Sequence, residues 1–196
     1  KVNLRLKTNL NTKHGKLRMH IGWVKQNNKY LTRLKMPNFI ETDYKTDANF
    51  FRSYIKPDLW EDSNELYKEY MSWENNKFFV QVIKQFDRPL LREIKKIWNY
   101  MGIRPREWRC NFFRVLPGGN LPLHKDTMSK ISVVIPLTKM TGNLYFDDGT
   151  EVLYHNMTVI NTQVPHGVRP PTEERIVFHM GIHDTYFEEV KIGHNS

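Results

Sequence analysis

The sequence predicts a mainly β fold with flanking helices (α+β), built as a sandwich or barrel with helices over one face. Three observations carry that prediction. From about residue 108 onward, short runs of β-branched and aromatic residues alternate with Gly- and Pro-containing turns. Two amphipathic helix patterns precede that run, as expected of helices that cover one face of a sheet. The chain has 196 residues, 39% hydrophobic and 13% aromatic, which suffices for a sizeable core and argues against disorder.

In chain order, the first third carries little periodicity, and Met19 to Val24 reads as a short strand. Residues 63–74 place Leu66, Tyr67, Tyr70, Met71 and Trp73 on one helical stripe, with Asp62 or Ser63 as cap and Glu65 in the first turn. A second helix is expected from Arg88 to Met101. Asp87 caps it, Pro89 sits where a missing N–H costs nothing, Leu90, Leu91, Ile94, Ile97, Trp98 and Met101 form its apolar face, and Gly102 ends it. Strands follow at Arg109 to Leu116 (closed by Pro117-Gly118-Gly119), Ile131 to Ile135, Asn143 to Phe146 (closed by Asp147-Asp148-Gly149), Met157 to Asn161 and Arg175 to Ile182.

The formal net charge is +9, spread without a dense basic tract. It suits acidic partners, such as nucleic acid or acidic metabolites, and equally describes a solvated basic surface. The one cysteine, Cys110, excludes an intrachain disulfide and a cysteine-rich zinc site, and reads as a small buried hydrophobe. No apolar run reaches the length of a membrane span and no signal-peptide core is present, so the expectation is an intracellular, cytoplasmic protein without a membrane partner.

The residues that carry chemistry are His124-Lys125-Asp126 and His166, the latter within Pro165-His166-Gly167. On a strand, residues two apart point to the same side, so His124 and Asp126 can face one ion while Lys125 points away. His166 supplies the third ligand from a different strand. Two histidines and one carboxylate on one face of a metal leave open positions, a pattern used by non-haem iron(II) oxygenases. Taken alone, His-x-Asp is a weak signal in a chain with eight histidines; its place between a Gly-rich turn and a buried strand strengthens it. Arg175 opens the last long strand. If it points inward, a buried guanidinium needs a carboxylate partner, which a dicarboxylate cosubstrate supplies bidentately.

Arg114-Val-Leu-Pro-Gly-Gly, His124-Lys-Asp126, Gly142-Asn-Leu-Tyr-Phe-Asp-Asp-Gly, Pro165-His166-Gly167 and Arg175-Ile-Val-Phe together resemble the iron(II)- and 2-oxoglutarate-dependent dioxygenases. The stretch is most similar to the branch holding aspartyl/asparaginyl β-hydroxylases and free-proline hydroxylases. The resemblance covers roughly Arg109 to Asp184, the last two-fifths of the chain. It implies a double-stranded β-helix (jelly-roll, cupin-like) core over 108–186, within a single domain 1–196 whose residues 1–107 are a helical and strand elaboration. It also implies Fe(II) held by His124, Asp126 and His166, with 2-oxoglutarate as cosubstrate bound through Arg175, and O2. The implied reaction hydroxylates a C–H bond of an amino acid or a protein side chain, of proline or Asp/Asn type, with decarboxylation of 2-oxoglutarate to succinate. Asp126 favours the proline-hydroxylase side, because some β-hydroxylases of the branch lack that carboxylate.

Arg114 and Arg169 are candidates for holding a substrate carboxylate, and read equally as surface arginines. Asn111 and Ser132 are candidate cosubstrate contacts. His179 and His183 lie about 13 Å apart on a strand, at roughly 3.3 Å per residue, and so cannot share an ion; His179 falls on the Arg175 face. Two other readings stand beside the hydroxylase. One is a nucleic-acid-modifying 2-oxoglutarate oxygenase, supported mainly by charge and less favoured. The other is a non-enzymatic cupin-like (jelly-roll) binding module, or a metal-dependent isomerase or lyase of cupin type, which has no need of Arg175.

Overall fold

The computed structural model describes residues 37–63, 65 and 77–192. The strand expected at Met19 to Val24 and nearly all of the helix expected over 63–74 lie outside the described residues.

The described chain runs β1 (Phe39–Glu41), α1 (Ala48–Arg52), a 3-10 turn (Pro57–Leu59), β2 (Glu61–Asp62), β3 (Phe78–Val82), α2 (Arg88–Tyr100), β4 (Trp108–Val115), β5 (Leu121–His124), β6 (Ile131–Pro136), β7 (Leu144–Phe146), β8 (Glu151–Val152), β9 (Thr158–Asn161), β10 (His166–Val168), β11 (Arg175–Ile182) and a last 3-10 turn (Phe187–Glu189). Every pairing is antiparallel. A seven-stranded sheet has the order β1-β9-β6-β11-β4-β3-β2, and a four-stranded sheet the order β5-β10-β7-β8. Val134, Ile160 and Val177 of the large sheet pack with Leu144, Phe146 and Val168 of the small one, so the two sheets face each other across a shared interior. This is the jelly-roll, double-stranded β-helix architecture. Strands β1, β2 and β3 come from before residue 108 and supply the edges of the large sheet.

Helix α2 forms as its sequence dictates. The Asp87 carboxylate accepts from Leu90 N at 2.9 Å and from the Tyr54 hydroxyl at 2.9 Å, Pro89 lies in the first turn, and Gly102 at φ 66° takes the left-handed conformation that ends the helix. Leu90, Ile94 and Ile97 are fully buried against the large sheet. That face of the sheet is apolar because period two sorts its residues: Cys110 and Phe112 of β4, Ile131, Val133 and Ile135 of β6, and Phe178, Met180 and Ile182 of β11 all join one cluster with α2 and Phe51 of α1. Cys110 is buried there, and burial pushes its thiol well above the usual range, as befits a packing residue. The alternate residues of the same strands, Arg109, Asn111, Phe113, Ser132, Val134, Arg175, Val177 and His179, face the interior between the sheets. No helix of the described residues is long and apolar enough to cross a membrane.

Candidate metal centre and cosubstrate pocket

The space between the sheets encloses a cavity of about 390 Å³. His124 ends β5, and its Cα partner across the β5–β10 ladder is His166. A direct cross-strand pair brings two side chains together on one face, and the imidazole centroids lie 4.6 Å apart. Asp126 completes the group. Its Oδ1 is 3.5 Å from His124 Nε2 and 4.0 Å from His166 Nε2. Donor atoms from all three residues lie within 4.8 Å of one another.

One detail differs from expectation. Asp126 is not on the strand with His124, because β5 stops at His124. Asp126 N instead donates to Thr162 O at 3.2 Å, and this bond from the β9 end holds the loop so that the carboxylate returns to the histidines. Lys125 is exposed.

The tautomers follow from the partners. His124 Nδ1 lies 2.8 Å from Pro122 O and His166 Nδ1 lies 3.0 Å from Val164 O. A carbonyl only accepts, so each Nδ1 donates to it, and each Nε2 faces Asp126. Histidines that ligate metals are oriented in the same way by an outer hydrogen bond. Burial alone would raise the Asp126 carboxyl, but the His124 hydrogen bond and the neighbouring imidazoles hold it below its ordinary value. Burial first, and the neighbouring His124 next, push His166 below its ordinary value. A divalent cation takes carboxylate oxygens and imidazole nitrogens as ligands, and this site sets one carboxylate beside two imidazoles. The donor chemistry therefore fits an iron(II)-type ion.

Arg175 opens β11 on the cavity face and is 4% exposed. Its Nη1 donates to Gly142 O at 3.1 Å, its Nη2 donates to the Tyr154 hydroxyl, and its Cζ lies 5.2 Å from the Tyr154 ring centroid. No carboxylate among the described residues pairs with it. Because Arg175 only donates, the Tyr154 hydroxyl accepts and keeps its own proton for another acceptor. Tyr154 also lines the cavity. Sequence reasoning missed it, since nothing in Val152-Leu153-Tyr154 marks a contact with Arg175.

The remaining candidates divide. Asn111 and Ser132 line the cavity, as does His179. His179 stacks on Phe113 with centroids 4.3 Å apart, and its Nε2 lies 2.9 Å from Ser132 Oγ. Burial, opposed by the Asp126 charge and aided by Arg109, pushes its pKa down to about 3. Arg114 is on the opposite face of β4. It binds Glu174 through Nε and Nη2 at 2.7 Å each and lies over Trp60 and Phe79. Arg169 is bound to Glu151 at 2.6 Å and stacks on Tyr145 at 4.0 Å. Neither lines the cavity, so the structure does not bring Arg114 or Arg169 to the ion site. Period two in β4 separates Arg114 from Asn111, and Glu151 of β8 holds Arg169 outside. Gly167, beside His166, is fixed by space: a Cβ there would lie 2.6 Å from Leu121 O and 2.7 Å from the Tyr145 ring.

No family model matches the chain, and no curated protein does. Solved structures do. A viral collagen prolyl hydroxylase from Paramecium bursaria Chlorella virus-1, in complex with 2-oxoglutarate, is similar at TM-score 0.50 and 8% identity, covering 76% of this chain and 97% of that one. HygX from Streptomyces hygroscopicus, with nickel and 2-oxoglutarate bound, is similar at TM-score 0.47 and 10% identity, covering 76% and 84%. An RmlC-like cupin protein from Desulfovibrio desulfuricans is similar at TM-score 0.37 and 15% identity, covering 58% and 90%. At these identities the likeness concerns the fold, a double-stranded β-helix shared by 2-oxoglutarate oxygenases, prolyl hydroxylases and cupins.

Proposed function

We propose that this protein is an iron(II)- and 2-oxoglutarate-dependent oxygenase that hydroxylates a C–H bond of an amino acid or a protein side chain, of proline or Asp/Asn type. The observation that carries the proposal is Arg175: a buried guanidinium without a carboxylate partner among the described residues, in the same cavity as His124, Asp126 and His166. Burying such a charge costs several kcal/mol unless an anion meets it. A cupin-like binding module has no use for that cation beside a metal site, whereas a dicarboxylate that also chelates the metal uses both.

His124 Nε2, His166 Nε2 and an Asp126 oxygen would hold the ion. When bound, the metal with 2-oxoglutarate and O2 supplies the oxidising chemistry, and 2-oxoglutarate leaves as succinate and carbon dioxide. The protein's part is placement. Pro122 and Val164 carbonyls fix the two imidazoles, and Thr162 fixes the Asp126 loop. Gly142 O and the Tyr154 ring aim the Arg175 fork, which would grip the distal carboxylate bidentately while Tyr154 donates its proton to it. Apolar walls, among them Phe113, Val134, Leu144 and Val177, exclude water around these groups.

The test is 2-oxoglutarate turnover by protein reconstituted with iron(II) without oxygen and then exposed to air. Succinate formation should require both iron(II) and 2-oxoglutarate and should disappear in H124A. A protein that binds no 2-oxoglutarate when loaded with manganese(II) would contradict the proposal.

A further inference from the structure

We infer that Arg109 anchors a carboxylate of the substrate at the open end of the cavity, so that the substrate is an amino acid or a peptide presenting a free carboxylate there. This rests on the oxygenase reading above and specifies the chemistry by which the same site selects its second ligand.

Arg109 is on β4, two residues from Asn111 on the same face, and lines the cavity that holds His124, Asp126 and Arg175. Its Cα partner across the β4–β11 ladder is Gly181, which sets no side chain beside it. The Arg109 Nε is buried and has no hydrogen-bond partner, and Nη1 reaches only the Met128 sulfur at 3.9 Å. A structural arginine would hold a carboxylate; this half-buried one holds none, and its Nε is shut off from water. Two acids are close by in sequence and neither pairs with it. Asp184 accepts from Arg106 N at 2.8 Å, and Glu107 forms no ion pair with Arg109 among the described residues. Leaving a buried donor unmade costs about 1–3 kcal/mol, a cost that an arriving anion removes. The donor Asn111 Nδ2 and the ring nitrogen His179 Nδ1 are likewise buried without a partner on the same wall, so unpartnered polar groups line the route from Arg109 inward.

The two guanidiniums occupy opposite ends. Arg175 faces Val115 across the ladder, and Arg109 lies six residues further along β4, about 20 Å of strand at roughly 3.3 Å per residue. The Arg175 end is closed, while at the Arg109 end Met128 is 54% exposed. Ligand therefore enters past Arg109. A planar fork matches a carboxylate bidentately, and Phe113 and Val82 on the intervening wall suit the short apolar body of an amino acid. Free amino acids and peptide C-termini offer the same carboxylate.

The test uses the full chain loaded with manganese(II) and 2-oxoglutarate, titrated calorimetrically with each common L-amino acid, its methyl ester and the corresponding glycyl dipeptide. At least one acid should bind, with its ester weaker by about 30-fold or more. R109Q should lose that preference while binding 2-oxoglutarate within about two-fold of wild type, and R109K should recover part of it. The dipeptide arm shows whether a free amino acid or a peptide end is the source. The inference is overturned if no acid is preferred over its ester, if R109Q leaves the preference intact, or if R109Q weakens 2-oxoglutarate as much as the acid. Failure of wild-type protein to bind 2-oxoglutarate sinks the oxygenase reading instead, and acid-versus-ester titration of manganese-loaded protein then decides Arg109 alone. Melting curves of the variants show whether a loss reflects unfolding.

Discussion

The two faces of the large sheet share strands and differ in purpose. On the helix side, Phe112, Ile131, Ile135, Phe178, Met180 and Ile182 are fully buried and apolar, and they pack on α2. On the cavity side, the neighbouring residues of the same strands include Asn111, Ser132, Arg175 and His179, buried and polar, beside the apolar Phe113, Val134 and Val177. One face spends its burial on stability. The other accepts polar groups that the protein itself leaves partly unpartnered, among them Asn111 Nδ2 and His179 Nδ1. Real folds depart from full polar satisfaction mainly where they work, so the sheet divides structure from chemistry within a single strand.

Substitutions on the two faces should therefore separate. The largest effect is expected at the ion site. H124A or D126A should reduce turnover to background and abolish tight metal binding, with the metal-free melting temperature close to wild type; retained activity in either would remove these ligands from the account. On the other face, F178A removes a fully buried ring that lies 4.5 Å from Phe51 and 5.6 Å from Phe112. It should cost about 3–5 kcal/mol in denaturant unfolding and leave activity per folded molecule unchanged. R175A should weaken 2-oxoglutarate binding by about 2–5 kcal/mol, read as a rise in its Kd, with little change in metal affinity. An unchanged Kd would show that the two faces are not divided as described.

The smallest effect concerns pH. His179 has its pKa pushed down to about 3 by burial, against an ordinary value of 6.5. Above pH 6.5 it is neutral in both folded and unfolded chains, and its contribution is fully present. As the pH falls from 6.5 toward 3, the unfolded chain takes up a proton that the folded chain refuses, and stability declines. H179N should flatten the decline in that window by one proton's slope, about 1.4 kcal/mol per pH unit. His166 and His183 are also held low and keep their own share of the slope. A curve unchanged by H179N would mean that His179 is not buried neutral.

What the sequence made legible follows from pattern length. Helix α2 carries a cap, a proline and a stopping glycine around four turns of stripe, so its ends agree with the structure to within a residue. Strands β4, β6 and β11 are long enough for alternation to show. Strands β1 and β2 have three and two residues, too few to carry a period, and pairing with β9 and β3 specifies them instead. In the site, the meeting of His124, Asp126 and His166 was legible from the place of His-x-Asp between a Gly-rich turn and a buried strand, and Arg175 from its position opening the last long strand. Tyr154 was not, because its role depends on a contact with Arg175 across the fold. Arg109 was within reach: counting two residues back from Asn111 places it on the cavity wall.

The most direct test of the central claim is a crystal structure of the protein soaked with manganese(II) and 2-oxoglutarate, with data collected at the manganese edge. The account places the anomalous peak in bonding contact with His124 Nε2, His166 Nε2 and an Asp126 oxygen, and the distal carboxylate of 2-oxoglutarate on the Arg175 fork. A metal bound elsewhere, or an Arg175 fork without a carboxylate in a ligand-saturated crystal, would contradict it.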